Sequence, residues 1–172
     1  SEPVAINLTV ENFPTANTAS ALLCDEGGGA SFDLTSLEST VGSGDIVTWY
    51  ADVVATNIIS SPFFTSTIMV YAVVGAANCA SDPVAINLIV ENLPTATGTV
   101  TSLCDDGNGT ATFDLTALEN TVNGGSGNIV LWYSDAMATA AISSPLLTSS
   151  ATIYAVVDNG SCLSNTAAID LN

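Results

Sequence analysis

The chain carries 17 Asp and Glu residues and four Cys, and no His, Lys or Arg, so any chemistry it performs falls to carboxylates and thiols. Imidazole bases, Schiff-base lysines and cationic oxyanion clamps are all missing. Paired carboxylates remain, as in glycoside hydrolysis. The best-matched acids are Asp33 and Asp114, each in a Phe-Asp-Leu-Thr stretch, and Asp52 and Asp135, each shortly after a Trp-Tyr pair. Each type occurs once in each half of the chain at an equivalent place. That gives two copies of a half-site, so these acids read as solvated strand or turn residues, with no catalytic residue and no enzyme. A hard cation such as calcium suits the oxygen-rich turn at Asp105, Asp106 and Asn108. The matching turn, Asp25 and Glu26 followed by glycines, has no counterpart of Asn108. Calcium is therefore a candidate for one turn only, and no other cofactor is expected. Trp49 and Trp132, with Tyr50 and Tyr133 beside them, have the surfaces to stack on sugars. Their spacing from the cysteines places the indoles in a core instead, with the phenols turned outward.

The four cysteines lack a CxxC pair and a histidine, which argues against zinc. They read as disulfides, for which four cysteines allow three pairings. Cys24 and Cys79 occupy the same places in the first half as Cys104 and Cys162 in the second, and this repeat selects Cys24 with Cys79 and Cys104 with Cys162. On the chain-entropy model each closed loop would stabilise its module by about 4 kcal/mol. Such bonds imply an oxidising, extracellular or cell-surface setting.

The elements that must position these residues are written twice. Cys24 to Cys104 is 80 positions, while Trp49 to Trp132 and Cys79 to Cys162 are both 83. Domains are expected at 13–92 and 93–172, preceded by an orphan strand at 1–12. In that strand Val4, Ile6, Leu8 and Val10 alternate with smaller or polar residues, the period-two pattern of a half-buried strand. The stretch returns almost verbatim at Pro83 to Asn92, and in shorter form at Ala167 to Asn172. The later copies each follow a module's second cysteine, as a last strand would. The first copy thus ends a preceding module or is donated to another subunit.

Within each repeat, glycine-rich turns follow the first cysteine. Strands at 30–34 and 110–115 come next, then a helical turn in which Thr35 to Glu38 and Thr116 to Glu119 fit a capping box. The Trp strands span 46–52 and 129–135. Weak strands stopped by Pro62 and Pro145 precede central strands at 67–74 and 151–157. Six or seven short strands per repeat, with a Cys-Trp-Cys spacing, predict an all-β chain of two tandem immunoglobulin-like β-sandwiches, each with one disulfide and the extra N-terminal strand besides.

A formal charge of −17 with no basic side chain excludes nucleic acid and anionic lipid surfaces as partners, because both are bound through Lys and Arg. No apolar run approaches the roughly 20 residues of a spanning helix, so membrane insertion is not expected.

The ordered series Cys104-Asp105-Asp106-Gly107-Asn108-Gly109, Phe113-Asp114-Leu115-Thr116, Trp132-Tyr133-Ser134-Asp135, Ile142-Ser143-Ser144-Pro145, Tyr154-Ala155-Val156-Val157 and Cys162 resembles the Ig-like repeats of very large Bacteroidetes surface proteins, and the first half shows the same series. The resemblance implies a tandem spacer in a secreted adhesin-like or gliding-associated protein, exported by the type IX route. The expected role is a structural module of an extracellular filament or adhesin stalk, partnered by modules of its own kind. Two rivals stand beside it: a module binding glycans or a host surface through loops at one pole, and an accessory domain of a secreted hydrolase.

Overall fold

The computed structural model describes residues 2–8, 10, 12–76 and 79–172, and the chain divides into two compact units, Ser1–Val90 and Glu91–Asn172. The first contains β1 (Ala19–Cys24), β2 (Ala30–Phe32), β3 (Val47–Tyr50), β4 (Phe63–Thr65), β5 (Ile68–Ala76), β6 (Cys79–Ala80) and β7 (Val84–Glu91), whose last residue reaches the boundary. The second contains β8 (Thr99–Thr101), β9 (Ala111–Phe113), β10 (Ile129–Tyr133), β11 (Leu146–Thr148), β12 (Ala151–Asp158) and β13 (Ala167–Leu171).

In the second unit one sheet runs β10-β12-β13-β8, and β9 pairs with β11 in another. β10, β12 and β13 are antiparallel neighbours, while β8 lies parallel to β13. Ala111, Phe113 and Leu146 of the small sheet and Trp132, Ile153, Ala155, Ile169 and Leu171 of the large one share one core. This is a β-sandwich. The Trp strand beside the long strand beside the last strand is the C-F-G face of an immunoglobulin-like domain, with β9 and β11 in the places of B and E. The first unit repeats the arrangement, β1-β7-β5-β3 against β2-β4, around Phe32, Trp49, Val70, Ala72, Ile86 and Leu88.

The strands form where period two puts a branched or aromatic residue inward at every second place. In β3, Val47 and Trp49 are buried while Thr48 and Tyr50 are half-buried, and in β13 the sequence Ala-Ala-Ile-Asp-Leu alternates buried and exposed throughout. β5 and β12 are paired on both sides, as their near-continuous β-forming composition requires. Between β2 and β3 the chain makes a 3-10 turn, Leu34–Leu37, running into a short helix, Glu38–Gly42. The N-cap is Asp33 rather than Thr35. Its side chain accepts from Thr35 N, and Asp114 does the same for Thr116 N. The capping-box reading misplaced the start by two residues because a carboxylate at the β-region Asp33 outcompetes the hydroxyl that follows it.

Three further expectations are corrected. Residues 2–8 and 10 form no strand, and Val4, Ile6, Leu8 and Val10 are between 81% and 98% exposed; Ser1, Thr9 and Glu11 of that stretch lie outside the described residues. The pattern is that of a strand, but among the described residues no sheet takes it up: the places that Ile6 and Leu8 would fill are held by Ile86 and Leu88 in one unit and Ile169 and Leu171 in the other, all fully buried. The weak strands before Pro62 and Pro145 shrink to single bridges, Tyr50 with Ile58 and Tyr133 with Ala141.

The third correction concerns sulfur. Cys24 and Cys162 are disulfide-bonded, whereas Cys79 and Cys104 carry free thiols, so neither a Cys24–Cys79 nor a Cys104–Cys162 bond is formed. The reason lies in strand direction. Because β8 runs parallel to β13, Cys104 emerges beyond the C-terminal end of β13, where Leu103 N donates to Asn172 O at 2.9 Å. Cys162 precedes the N-terminal end of that strand. The β13 ladder between them is itself about 13 Å long at the usual rise per residue, while a disulfide holds Cα atoms within roughly 7 Å. No cysteine belongs to either hydrophobic cluster, although Cys162 is buried. The B and F places that an immunoglobulin disulfide would use are filled here by β9 and β12, whose inward residues are Phe113, Ile153, Ala155 and Val157.

Candidate functional site

The acids singled out in the sequence are held in loops. Asp33 Oδ1 accepts from Thr35 N at 3.0 Å, from the Thr35 hydroxyl at 2.6 Å and from the Ser61 hydroxyl at 2.9 Å. The Ser61 hydroxyl in turn accepts from Leu34 N at 2.9 Å. Asp114, Thr116, Ser144 and Leu115 repeat this set within 0.1 Å in every bond. One carboxylate and one hydroxyl thereby tie the start of the helical turn to the loop before Pro62 or Pro145. Donation from the Thr35 and Ser61 hydroxyls outweighs desolvation and holds Asp33 below the ordinary carboxylate range; those of Thr116 and Ser144 do the same for Asp114. Ser61 and Ser144 were missed in the sequence. The signal available was the Ser-Ser-Pro triplet at the same place in both repeats.

Asp52 and Asp135 each close the loop after the Trp strand. Asp52 accepts from Val54 N, Thr56 N and Asn57 N, the last at 2.7 Å. Asp135 accepts from Met137 N, Thr139 N and Ala140 N, the last at 2.6 Å. Desolvation pushes Asp52 upward, yet donation from Asn57 and Thr56 leaves it below the usual range. For Asp135 the Ala140 amide is the foremost cause of the same downward shift. A carboxylate pulled down by amide donors stays ionised and is a poor general acid.

The candidate calcium turn is organised in the same way. Asp105 Oδ1 accepts from the amides of Gly107, Asn108, Gly109 and Thr110 at 2.8 to 3.2 Å. That oxygen faces a nest of donors, a surrounding that favours the turn over a cation. Among the described residues no group of three or more His, Cys, Asp or Glu side chains gathers as metal ligands would.

Trp49 and Trp132 are 5% and 6% exposed, inside the two cores. Their indole Nε1 atoms have no hydrogen-bond partner among the described residues, so neither ring presents a face or a donor to a ligand. Tyr50 and Tyr133 are half-buried. Three surface depressions stand out: one lined by Asp105, Phe113 and Ser149 has a volume of about 70 Å³, while one beside Phe13 and Pro83 and one beside Leu103 and Leu118 reach about 280 and 270 Å³, just under the range of a site that encloses a small molecule.

Among the described residues no helix is long and apolar enough to cross a membrane. No family model and no curated protein matches the sequence. Among solved structures, the N-terminal Ig1-2 module of the Drosophila receptor protein tyrosine phosphatase DLAR aligns over 94% of this chain and 96% of its own at 10% identity, with a TM-score of 0.25, a likeness too slight to bear on fold or function.

Proposed function

We propose that the chain is a structural element: two repeats of an extracellular filament or adhesin stalk whose work is to hold length and shape. The observation that carries this reading is the repetition itself. Both units place the same acids, serines and tryptophan in the same roles, and a chain that repeats its framework down to individual hydrogen bonds behaves as an array, in which each unit is stabilised mainly by itself and its neighbours. The loops are fastened by their own carboxylates, so they hold shape and offer little to a substrate. The uniform negative charge keeps neighbouring fibres apart where salt leaves it only partly screened. Partners of this reading are modules of the same kind. The sequence resemblance to Bacteroidetes surface repeats supports the same role and a secreted location.

The exposed Val4, Ile6, Leu8 and Val10 favour strand completion as the means of joining. Two copies of this strand are buried in sheets of this chain, and a third with the same alternation is suited to the open position of another module, either a preceding one or a second subunit. Deleting residues 1–12 is expected to leave both sandwiches folded and to abolish assembly.

Antibodies raised against residues 13–172 test the role on source cells. Gold label spaced along extracellular fibres is the expected result. Label confined to the cytoplasm, or on a soluble hydrolase with no fibre, would overturn it. Specific glycan binding by the folded chain would favour the adhesive rival.

A further inference from the structure

The free cysteines and the bonded ones are related by the repeat. Cys24 ends the first strand of its unit and Cys104 stands just beyond the first strand of its own; Cys79 and Cys162 stand in the return between the long strand and the last. In the second unit these two places are at opposite ends of β13, so a module of this kind cannot close its own two sulfurs together. The bonded cysteines, Cys24 of the first unit and Cys162 of the second, are one of each kind. The free thiols, Cys79 of the first and Cys104 of the second, are the remaining one of each. Cys104 is exposed and Cys79 half-buried.

We propose that Cys79 and Cys104 are junction cysteines. Cys104 pairs with a Cys79-type cysteine of a following module and Cys79 with a Cys104-type cysteine of a preceding one, so that the array is cross-linked from module to module. This rests on the tandem-array reading above. Each bond forms from two thiols, which lose two protons and two electrons. The electrons go to a disulfide oxidant, such as glutathione disulfide or the disulfide of an oxidoreductase, which is split into two thiols. The arrangement puts covalent bonds at the joints. Immunoglobulin domains place theirs in the core, whereas here neither hydrophobic cluster includes a cysteine.

The 172-residue chain supplies both kinds of free thiol, so a second copy can stand in for the neighbouring module. Concentrated protein is equilibrated with a reduced and oxidised glutathione buffer, run on non-reducing denaturing gels, and mapped by mass spectrometry after cleavage at Asp and Glu, since trypsin finds no site. A ladder of linked copies is expected, with Cys79 of one copy joined to Cys104 of another. Cys104→Ser and Cys79→Ser should each reduce the ladder to monomer, with the tryptophan near-UV signal unchanged. Persistent dimers in either variant would reveal like-with-like pairing and overturn the proposal. So would monomer alone in the unaltered chain, or rearrangement to Cys24–Cys79 and Cys104–Cys162 within one molecule. Gold-labelled fibres that lack the Cys79–Cys104 link would sink only the cross-link; a ladder from a protein never found on fibres would sink only the array.

Discussion

Trp132 stands directly across from Ala155 on the neighbouring strand, and Trp49 repeats the relationship with Ala72. Both alanines are fully buried. A methyl group on the inner face of the long strand leaves the space that the adjacent indole fills, so each core is built around a large-small pair. Ala155→Leu is expected to overpack this contact and lower stability by about 1–3 kcal/mol, read as a lower denaturation midpoint of the second unit. Ala72→Leu should do the same in the first.

The Ser144 hydroxyl is the acceptor for Leu115 N and a donor to Asp114. Ser144→Ala leaves that part-buried amide without its partner, and a loss of about 1 kcal/mol is expected. Ser144→Thr, which keeps the hydroxyl, should recover part of it. Equal stability of the alanine variant and the parent in urea titrations would show that the tie is incidental.

Asp33, Asp52, Asp114 and Asp135 all lie below the ordinary carboxylate range in the folded chain. A depressed folded value means that these groups support the fold above the pKa of the unfolded chain, and that the support is lost as pH falls through the lower, folded value. Stability should therefore decline on acidification beginning near the unfolded Asp value and continuing below it. The acid limb is read best by difference between the parent and a single-site variant. Asp135→Asn should flatten it, and an unchanged slope would contradict the role given to the loop.

Gly75 has a φ of +106°, and a β-carbon there would meet the Cys79 carbonyl oxygen head-on and press on Pro14 Cγ. Gly75→Ala is expected to cost more than about 1 kcal/mol, beyond the strain of a positive φ alone. Gly160, with a φ of +92° and open space around it, serves as the control. Gly160→Ala should cost visibly less in the same thermal melt.

Much of this was legible in the sequence, and for a physical reason. Period-two alternation in Val47 to Tyr50 and Ala167 to Leu171 records which face is inward, and the repeat records it twice. What could not be read depends on direction. Pairing Cys104 with Cys162 assumed that neighbours in the repeat are neighbours in space, yet β8 runs parallel to β13 and carries Cys104 to the far end. The stretch around Ile6 and Leu8 has the same pattern as β7 but joins no sheet among the described residues, because a strand's alternation specifies its face and leaves its partner open. Ser61 and Ser144 do not stand out in the sequence because the residue that follows each, Pro62 or Pro145, already accounts for the end of a strand there.

The account depends most on each half being a self-contained sandwich that bears load. Stretching the reduced chain from its two ends in a single-molecule force experiment tests this directly. Two separate unfolding events are predicted, each releasing on the order of 250 Å of contour length for a unit of about 80 residues. One merged event, or smooth extension with no force peak, would contradict it.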